Sequence, residues 1–369
     1  MEIAIDVRSL MEGRHSGVQE YTSQLIQAFA RVAPEHVYRL FYNAARPVQP
    51  LKLPQGVEIV GLRYPNKLFN ASQWALGFPR WDSLLTADCF FVPSLRLLPL
   101  SIDMPLVTTV HDLSFEHFPE FFSWRRRLWH TLMRPRLLMQ NSDHLIAVSA
   151  ASADDVIDRY QIPPERVSVV YSGVKELPVG ARNSIGYVRR KYHLPPQFIL
   201  YFGTLEPRKN ITSIITAFSA VATYFPHHLV IAGARGWLTH ALDKAVAQSP
   251  AQARIHMPGF IAEADKNSLY AAADLFVYPS FYEGFGFPPL EALVAGTPVI
   301  TSYNSSLPEI VGEWATLVDP YNPGELALVM KELLINPRRV DTVTRQTIQE
   351  HYSWDKAAAQ TLRIIEQVS

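Results

Sequence analysis

Cysteine is nearly missing from this chain. The single Cys89 excludes an internal disulfide, and its place in the apolar run DCFFV marks a buried, inert thiol. No run of 18 apolar residues is present, so no segment is suited to span a membrane. Neither sign of charge is in excess. Lysine plus arginine and aspartate plus glutamate number 34 each, which gives no reason to expect nucleic acid as a partner. No Asp-x-Asp triplet and no His/Cys cluster offers ligands, so neither a metal site nor another cofactor is expected. The first residues, MEIAIDV, carry no leader pattern, and a cytoplasmic location is the default expectation. Tandem repeats of about 20 to 50 residues and low-complexity stretches are absent as well.

What the chain has is length and apolar mass. Its 369 residues are 48% hydrophobic and 18% charged, enough for two soluble domains with substantial cores. Strand-length apolar runs are read at Glu2–Val7, Val37–Tyr42, Val57–Leu62, Ala87–Val92, Leu106–Val110, Asp143–Val148 and Val167–Val170. Helical spacing is read at Val18–Ala30, Trp74–Leu85 and Ala150–Tyr160. Between Gly173 and Pro196 the pattern gives way to Gly, Pro and basic residues, as expected of a linker. It restarts at Phe198–Phe202 and continues at Leu229–Ala232, Ile255–Met257, Asp274–Pro279 and Leu317–Asp319, with helices at Ile211–Tyr224, Glu325–Leu334 and Ser353–Val368. The expected domains are 1–175 and 190–350.

The most informative stretch is YPSFYEGFGFPPLEALVAGTPVI, Tyr278–Ile300. It reads as a strand end, a loop, a helix and the next strand. Gly284 and Gly286 let a ligand approach the backbone, with Phe285 and Phe287 alongside. Pro288 and Pro289 suit a helix start, and Gly296 suits its end. The loop thus ends at a helix N-terminus, a ready anion site. Glu283 and Glu291 bracket it. Singly, Glu291 could serve only the helix dipole and Glu283 could be a solvated loop residue. As a pair they could suggest a glycosidase. The loop N–H groups favour a phosphorylated ligand instead.

Three other places carry chemistry. Gly17 lies in the loop after the first strand, where the full G-x-G-x-x-G fingerprint is lacking, so it is weak support for a dinucleotide or only a tight turn. His111-Asp112 ends a buried strand, where open α/β sheets bind ligands, though a locally bonded histidine is the alternative. Gly203 opens GTLEPRKN, in which Arg208 and Lys209 precede a helix and match the roughly two negative charges of a nucleotide diphosphate; a solvated surface pair is the alternative. Phe121–Met139 interleaves five arginines with tryptophan, leucine and methionine around Pro135. It suits either a peripheral contact with an anionic membrane or a core helix with a solvated basic face.

These motifs together resemble the retaining glycosyltransferases of family 4. Glu283 and Glu291 match the E-x7-E signature, and YPSFYEGFG, PLEAL, GTPVI, HD and GTLEPRKN lie in the family's order over nearly the whole chain. The resemblance implies the GT-B architecture, two Rossmann-like domains facing across a cleft, with the helix at about 353–369 returning to the first domain. It implies sugar transfer from a nucleotide-sugar donor to a glycan or lipid-linked acceptor. Arg208 and Lys209 would meet the donor diphosphate, with Gly17 nearby. Glu283 and His111 would meet the sugar, Glu291 the ribose, and the backbone at Phe260 and Ile261 the base. HDLSFEHFPEFFS and SLPEI look like the mannosyltransferase branch that builds bacterial surface polysaccharides, which implies GDP-mannose or a related GDP-deoxyhexose. A UDP-sugar donor, an epimerase on the same fold and a catalytically silent nucleotide-sugar binder are the alternatives.

Overall fold

The computed structural model describes residues 1–11, 17–44, 57–175 and 185–369. Residues 12–16 of the opening loop and 176–184 of the expected linker lie outside the described residues. The chain forms two compact units. The first comprises Met1–Leu113, Leu128–Gly173 and Tyr352–Ser369; the second comprises Ser114–Arg127 and Val174–His351. Counting strands along the chain does not reveal that Ser114–Arg127 belongs with the second.

The first unit holds a seven-stranded sheet: β1 (Glu2–Asp6), β2 (Val37–Asn43), β3 (Val57–Leu62), β4 (Cys89–Val92), β5 (Leu106–Val110), β6 (His144–Ala147) and β7 (Val167–Val169). Their order is β3-β2-β1-β4-β5-β6-β7, with every pair parallel. Parallel strands need crossovers, which cover both faces, and β4 and β5 are accordingly buried at every position. Helix Gly17–Val32 packs on the last helix, Trp354–Val368, within this unit.

The second unit holds a six-stranded parallel sheet: β8 (Phe198–Phe202), β9 (His228–Ala232), β10 (Ile255–Gly259), β11 (Leu275–Tyr278), β12 (Val299–Ser302) and β13 (Thr316–Val318). The order is β10-β9-β8-β11-β12-β13. Strand succession therefore reverses between β1 and β4 in one sheet and between β8 and β11 in the other. Open α/β sheets bind ligands at such switch points, beyond the carboxyl ends of the strands.

One helix differs from its expected place. Instead of Trp74–Leu85, the helix runs Asn66–Leu76 and ends on left-handed Gly77, φ 60°. Trp81 and Leu85 misled the spacing, because both are core residues around the short turn Trp81–Ser83. The basic stretch forms two helices, Trp124–Leu132 and Pro135–Gln140, with Arg134 left-handed between them. Pro135 is the cause, since it can start a helix but not continue one.

Candidate active site

At the switch point of the second sheet, two loops supply the charged groups. After β8 the chain makes a short turn at Pro207–Lys209, and left-handed Asn210 leads into helix Ile211–Val221. The Asn210 amide donates to Pro279 O (3.1 Å) and Pro320 O (2.6 Å), tying this turn to the loops after β11 and β13. That second loop runs to Gly286, which precedes helix Phe287–Val294 at φ 100°. A Cβ at Gly286 would lie 2.7 Å from Leu307 Cδ2, so both conformation and space call for glycine. Gly203, at the end of β8, is approached so closely that a Cβ on Gly233 would sit 1.9 Å from its carbonyl oxygen.

Arg208, Lys209 and Glu283 come together there. Lys209 Nζ donates to Glu283 Oε1 and to the Tyr278 hydroxyl, both at 2.6 Å. Arg208 Nη1 donates to Glu283 Oε2 (3.2 Å) and to Tyr282 O (2.6 Å). Its Nε and Nη2 reach Glu206 Oε1 at 3.2 and 2.9 Å. Ser280 Oγ donates to Glu283 Oε1 (2.6 Å), and the Glu283 N–H donates to Ser305 Oγ (2.9 Å). Ser306 Oγ pins the loop further through Glu283 O and Phe285 O. The alternative of a solvated surface pair does not hold, because the Arg208 and Lys209 side chains are only 13% and 9% exposed. Nor do their charges stand unopposed: two cations face two carboxylates.

Burial alone would raise the Glu283 carboxyl. The Lys209 and Arg208 charges outweigh it, with hydrogen bonds from Lys209 and Ser280, and hold the group at about 2. Burial and the Arg208 charge push Lys209 downward, while Glu283 and Glu206 pull it back.

Glu291 has partners of its own. Lys266 Nζ lies 2.5 Å from Oε1, and the Tyr270 hydroxyl donates to Oε2 at 2.8 Å. Burial, with Glu291 beside it, raises the Tyr270 phenol well above its ordinary value. Phe260, past β10, is exposed, whereas its neighbour Ile261 is buried. None of Glu206, Tyr278, Ser280, Lys266 or Tyr270 was singled out from the sequence. Glu206 lies within GTLEPRKN, and Tyr278 and Ser280 lie within YPSFYEGFG, whereas Lys266 and Tyr270 carry no local signal.

His111 and Gly17 belong to the first unit. Gly17 is the first residue of its helix. His111 Nε2 lies 2.8 Å from Pro93 O. A carbonyl only accepts, so Nε2 carries the proton and Nδ1 is left as an acceptor. Burial lowers the imidazole, against smaller upward pulls from Pro93 and Asp112, which favours the neutral ring. Tyr21 packs edge-on against it at 4.7 Å. Among the described residues no group of three or more His, Cys, Asp or Glu side chains is placed to hold a metal ion.

Comparison with known proteins bears on the family and the fold. Residues 189–351 match the family model for glycosyl transferases group 1, and 15–176 match that for glycosyltransferase family 4. The chain is 31% identical over 263 residues to the O-antigen chain mannosyltransferase B of Escherichia coli, covering 69% of this chain and 68% of that one. It is 30% identical over 239 residues to the serotype-specific mannosyltransferase WbdA of Escherichia coli, covering 63% of this chain but only 28% of that longer protein. Among solved structures, the sucrose-phosphate synthase of Thermosynechococcus elongatus superposes with a TM-score of 0.77 at 18% identity, covering 99% of this chain and 98% of that one. HepE of Anabaena, solved with UDP and glucose, superposes with a TM-score of 0.74 at 19% identity, covering both chains in full. The fold is thus that of the GT-B glycosyltransferases. With a charged loop pair at the switch point of its second sheet, and with relatives of this kind, the chain belongs to glycosyltransferase family 4, its second half being a group 1 domain.

Proposed function

We propose that this protein transfers a hexose, mannose or a related deoxyhexose, from a GDP-sugar to a glycan or lipid-linked acceptor in surface polysaccharide synthesis, with the anomeric configuration retained. The observation that carries this reading is the cluster of Arg208, Lys209 and Glu283 at the second switch point. Arg208 and Lys209 stabilise charge building on the leaving diphosphate, the electrostatic contribution that typically dominates such sites. Because Glu206 and Glu283 already balance them, the diphosphate must compete for their donors. Glu283 holds the donor sugar beside the loop Gly284–Phe287, and Glu291 accepts from the ribose hydroxyls with the lone pairs left by Lys266 and Tyr270. His111 offers Nδ1 to the sugar. No metal is assigned a part in these steps. The mannosyl donor is supported by the names of the two Escherichia coli relatives, both mannosyltransferases.

A UDP-sugar donor is the second reading, favoured by HepE having been solved with UDP and glucose. Calorimetric titration with GDP, UDP and ADP separates the two. The first reading expects GDP to bind at least about tenfold tighter, a difference of about 1.4 kcal/mol. Equal or tighter binding of UDP overturns the donor assignment. A panel of nucleotide sugars assayed for slow hydrolysis, with and without chelator, tests turnover itself. No turnover of any donor leaves only a silent binder, and chelator-sensitive turnover rescued by Mg²⁺ or Mn²⁺ overturns metal independence.

A further inference from the structure

Ser114–Arg127 follows a strand of the first sheet in sequence but is part of the second unit. Within that unit it reaches two loops. The His117 ring stacks on Tyr282 with centroids 5.2 Å apart and 25° between planes, and Phe118 meets the same ring at 6.0 Å. Phe121 stacks on Phe281 at 5.4 Å. At the other end, Trp237 Nε1 donates to Phe121 O at 2.6 Å, and Phe122 stacks on the Trp237 ring at 5.9 Å. The Arg126 guanidinium lies 3.7 Å over that indole. Phe281 and Tyr282 follow β11, whereas Trp237 follows β9, and these strands flank β8 on either side. The segment therefore spans the carboxyl end of β8, the strand whose loop carries Arg208 and Lys209.

Its point of attachment matters. Tyr282 O accepts from Arg208 Nη1, its ring is held by His117 and Phe118, and Glu283 is the next residue. The Phe281 N–H donates to Arg208 O at 2.9 Å. The ring is thus fixed to the segment while the backbone is fixed to the charged cluster. A plain apolar cover would not need the cation over the indole or the indole hydrogen bond. We propose that Ser114–Arg127 is a strap, with its own His117 and the Trp237 on which it docks as positioning residues, that holds the Tyr282–Glu283 loop in register with Arg208 for donor binding. This rests on the transferase reading, in which a small misplacement of a binding group is expensive in rate.

The test pairs hydrogen exchange with kinetics in the full chain. Exchange at the Phe281 and Glu283 amides reports the bonds to Arg208 O and Ser305 Oγ without any ligand. Trp237→Ala and His117→Ala should speed exchange there by about tenfold, leave core amides such as those of β8 protected, and lower donor kcat/KM by about tenfold. His117→Phe keeps a stacking ring and should restore both. Arg126→Met removes only the cation over the indole and serves if Trp237→Ala fails to fold; a smaller change in the same direction is expected. Unchanged exchange at the two amides overturns the strap. Faster exchange with kcat/KM within about twofold of wild type overturns its part in donor binding. Should wild type turn over no nucleotide sugar, the transferase reading fails, and the exchange result still decides whether the strap holds the loop.

Discussion

Arg208 lies between Glu206 and Glu283 and also holds Tyr282 O, so its removal does two things. Arg208→Ala takes a cation from between two buried carboxylates, a break that costs about 3–5 kcal/mol in comparable pairs. It also removes charge stabilisation worth at least about 10²-fold in kcat/KM. The variant should melt well below wild type and turn over poorly. A residue at an open surface would have shown only the second effect. Wild-type turnover in Arg208→Ala would take the residue out of the mechanism. Glu283 offers a pH test. Its carboxyl stands at about 2 in the fold against an ordinary 4.5, so the folded state binds fewer protons than the unfolded chain. The stability it contributes is full above about pH 4.5 and is lost as pH falls through about 2. By the usual conversion this is roughly 3 kcal/mol. Urea unfolding followed down that range should steepen for wild type and flatten for Glu283→Gln. Parallel curves would show that the pair stores no such energy.

At the scale of elements, β8, whose loop carries Arg208 and Lys209, meets its neighbour β9 in a close backbone approach. Gly233 has φ 134° and faces Gly203 O across a gap that no Cβ can enter. Gly233→Ala should therefore force β8 and β9 apart at their carboxyl ends and cost about 1–3 kcal/mol, read as a fall in melting temperature. A variant as stable as wild type would mean that the approach relaxes freely. In the sequence, Gly233 is marked only by following the apolar run Leu229–Ala232. Strands such as Phe198–Phe202 were legible because parallel strands buried on both faces are continuous apolar runs. The loop Glu283–Phe287 was legible because Gly and Pro mark it. Lys266 and Tyr270 were not, since helix Lys266–Ala272 is too short to show a period and its bond to Glu291 joins residues 21 apart. Glu206 folds back on Arg208 only because Pro207–Lys209 makes a turn, which spacing alone does not foretell. The displaced Asn66–Leu76 helix shows the converse error, in which core residues outside a helix imitate its period.

At the scale of the molecule, the arginine-rich stretch suits either a membrane contact or a solvated helix face. The structure adds a second element to the question. In the first unit the Trp74 indole donates to Leu132 O at 2.9 Å, and Arg134 lies 5.6 Å from the centre of the same indole. Helix Asn66–Leu76 and the turn after it expose Leu68, Trp74, Leu76 and Phe78, while Trp129, Leu132 and Leu137 are exposed from the basic stretch. Among the described residues no helix is long and apolar enough to cross a membrane. Half-exposed indoles with arginines beside them instead suit the boundary between headgroups and acyl chains. Arg126 is a poor probe, because it is already committed to Trp237. Arg136 and Arg134, the latter standing farther from its indole at 5.6 Å than Arg126 does at 3.7 Å, are the better choice, both being exposed. Each basic residue near an anionic surface is worth about 1 kcal/mol, so replacing both by serine should weaken binding to anionic vesicles by about 2 kcal/mol, or roughly 30-fold. Trp74→Ser with Trp129→Ser should weaken it further, on neutral vesicles as well, because the indoles contribute apolar burial rather than charge. Co-sedimentation across a range of lipid compositions measures both. Wild-type protein that stays in the supernatant with every anionic vesicle would return the stretch to an ordinary solvated face.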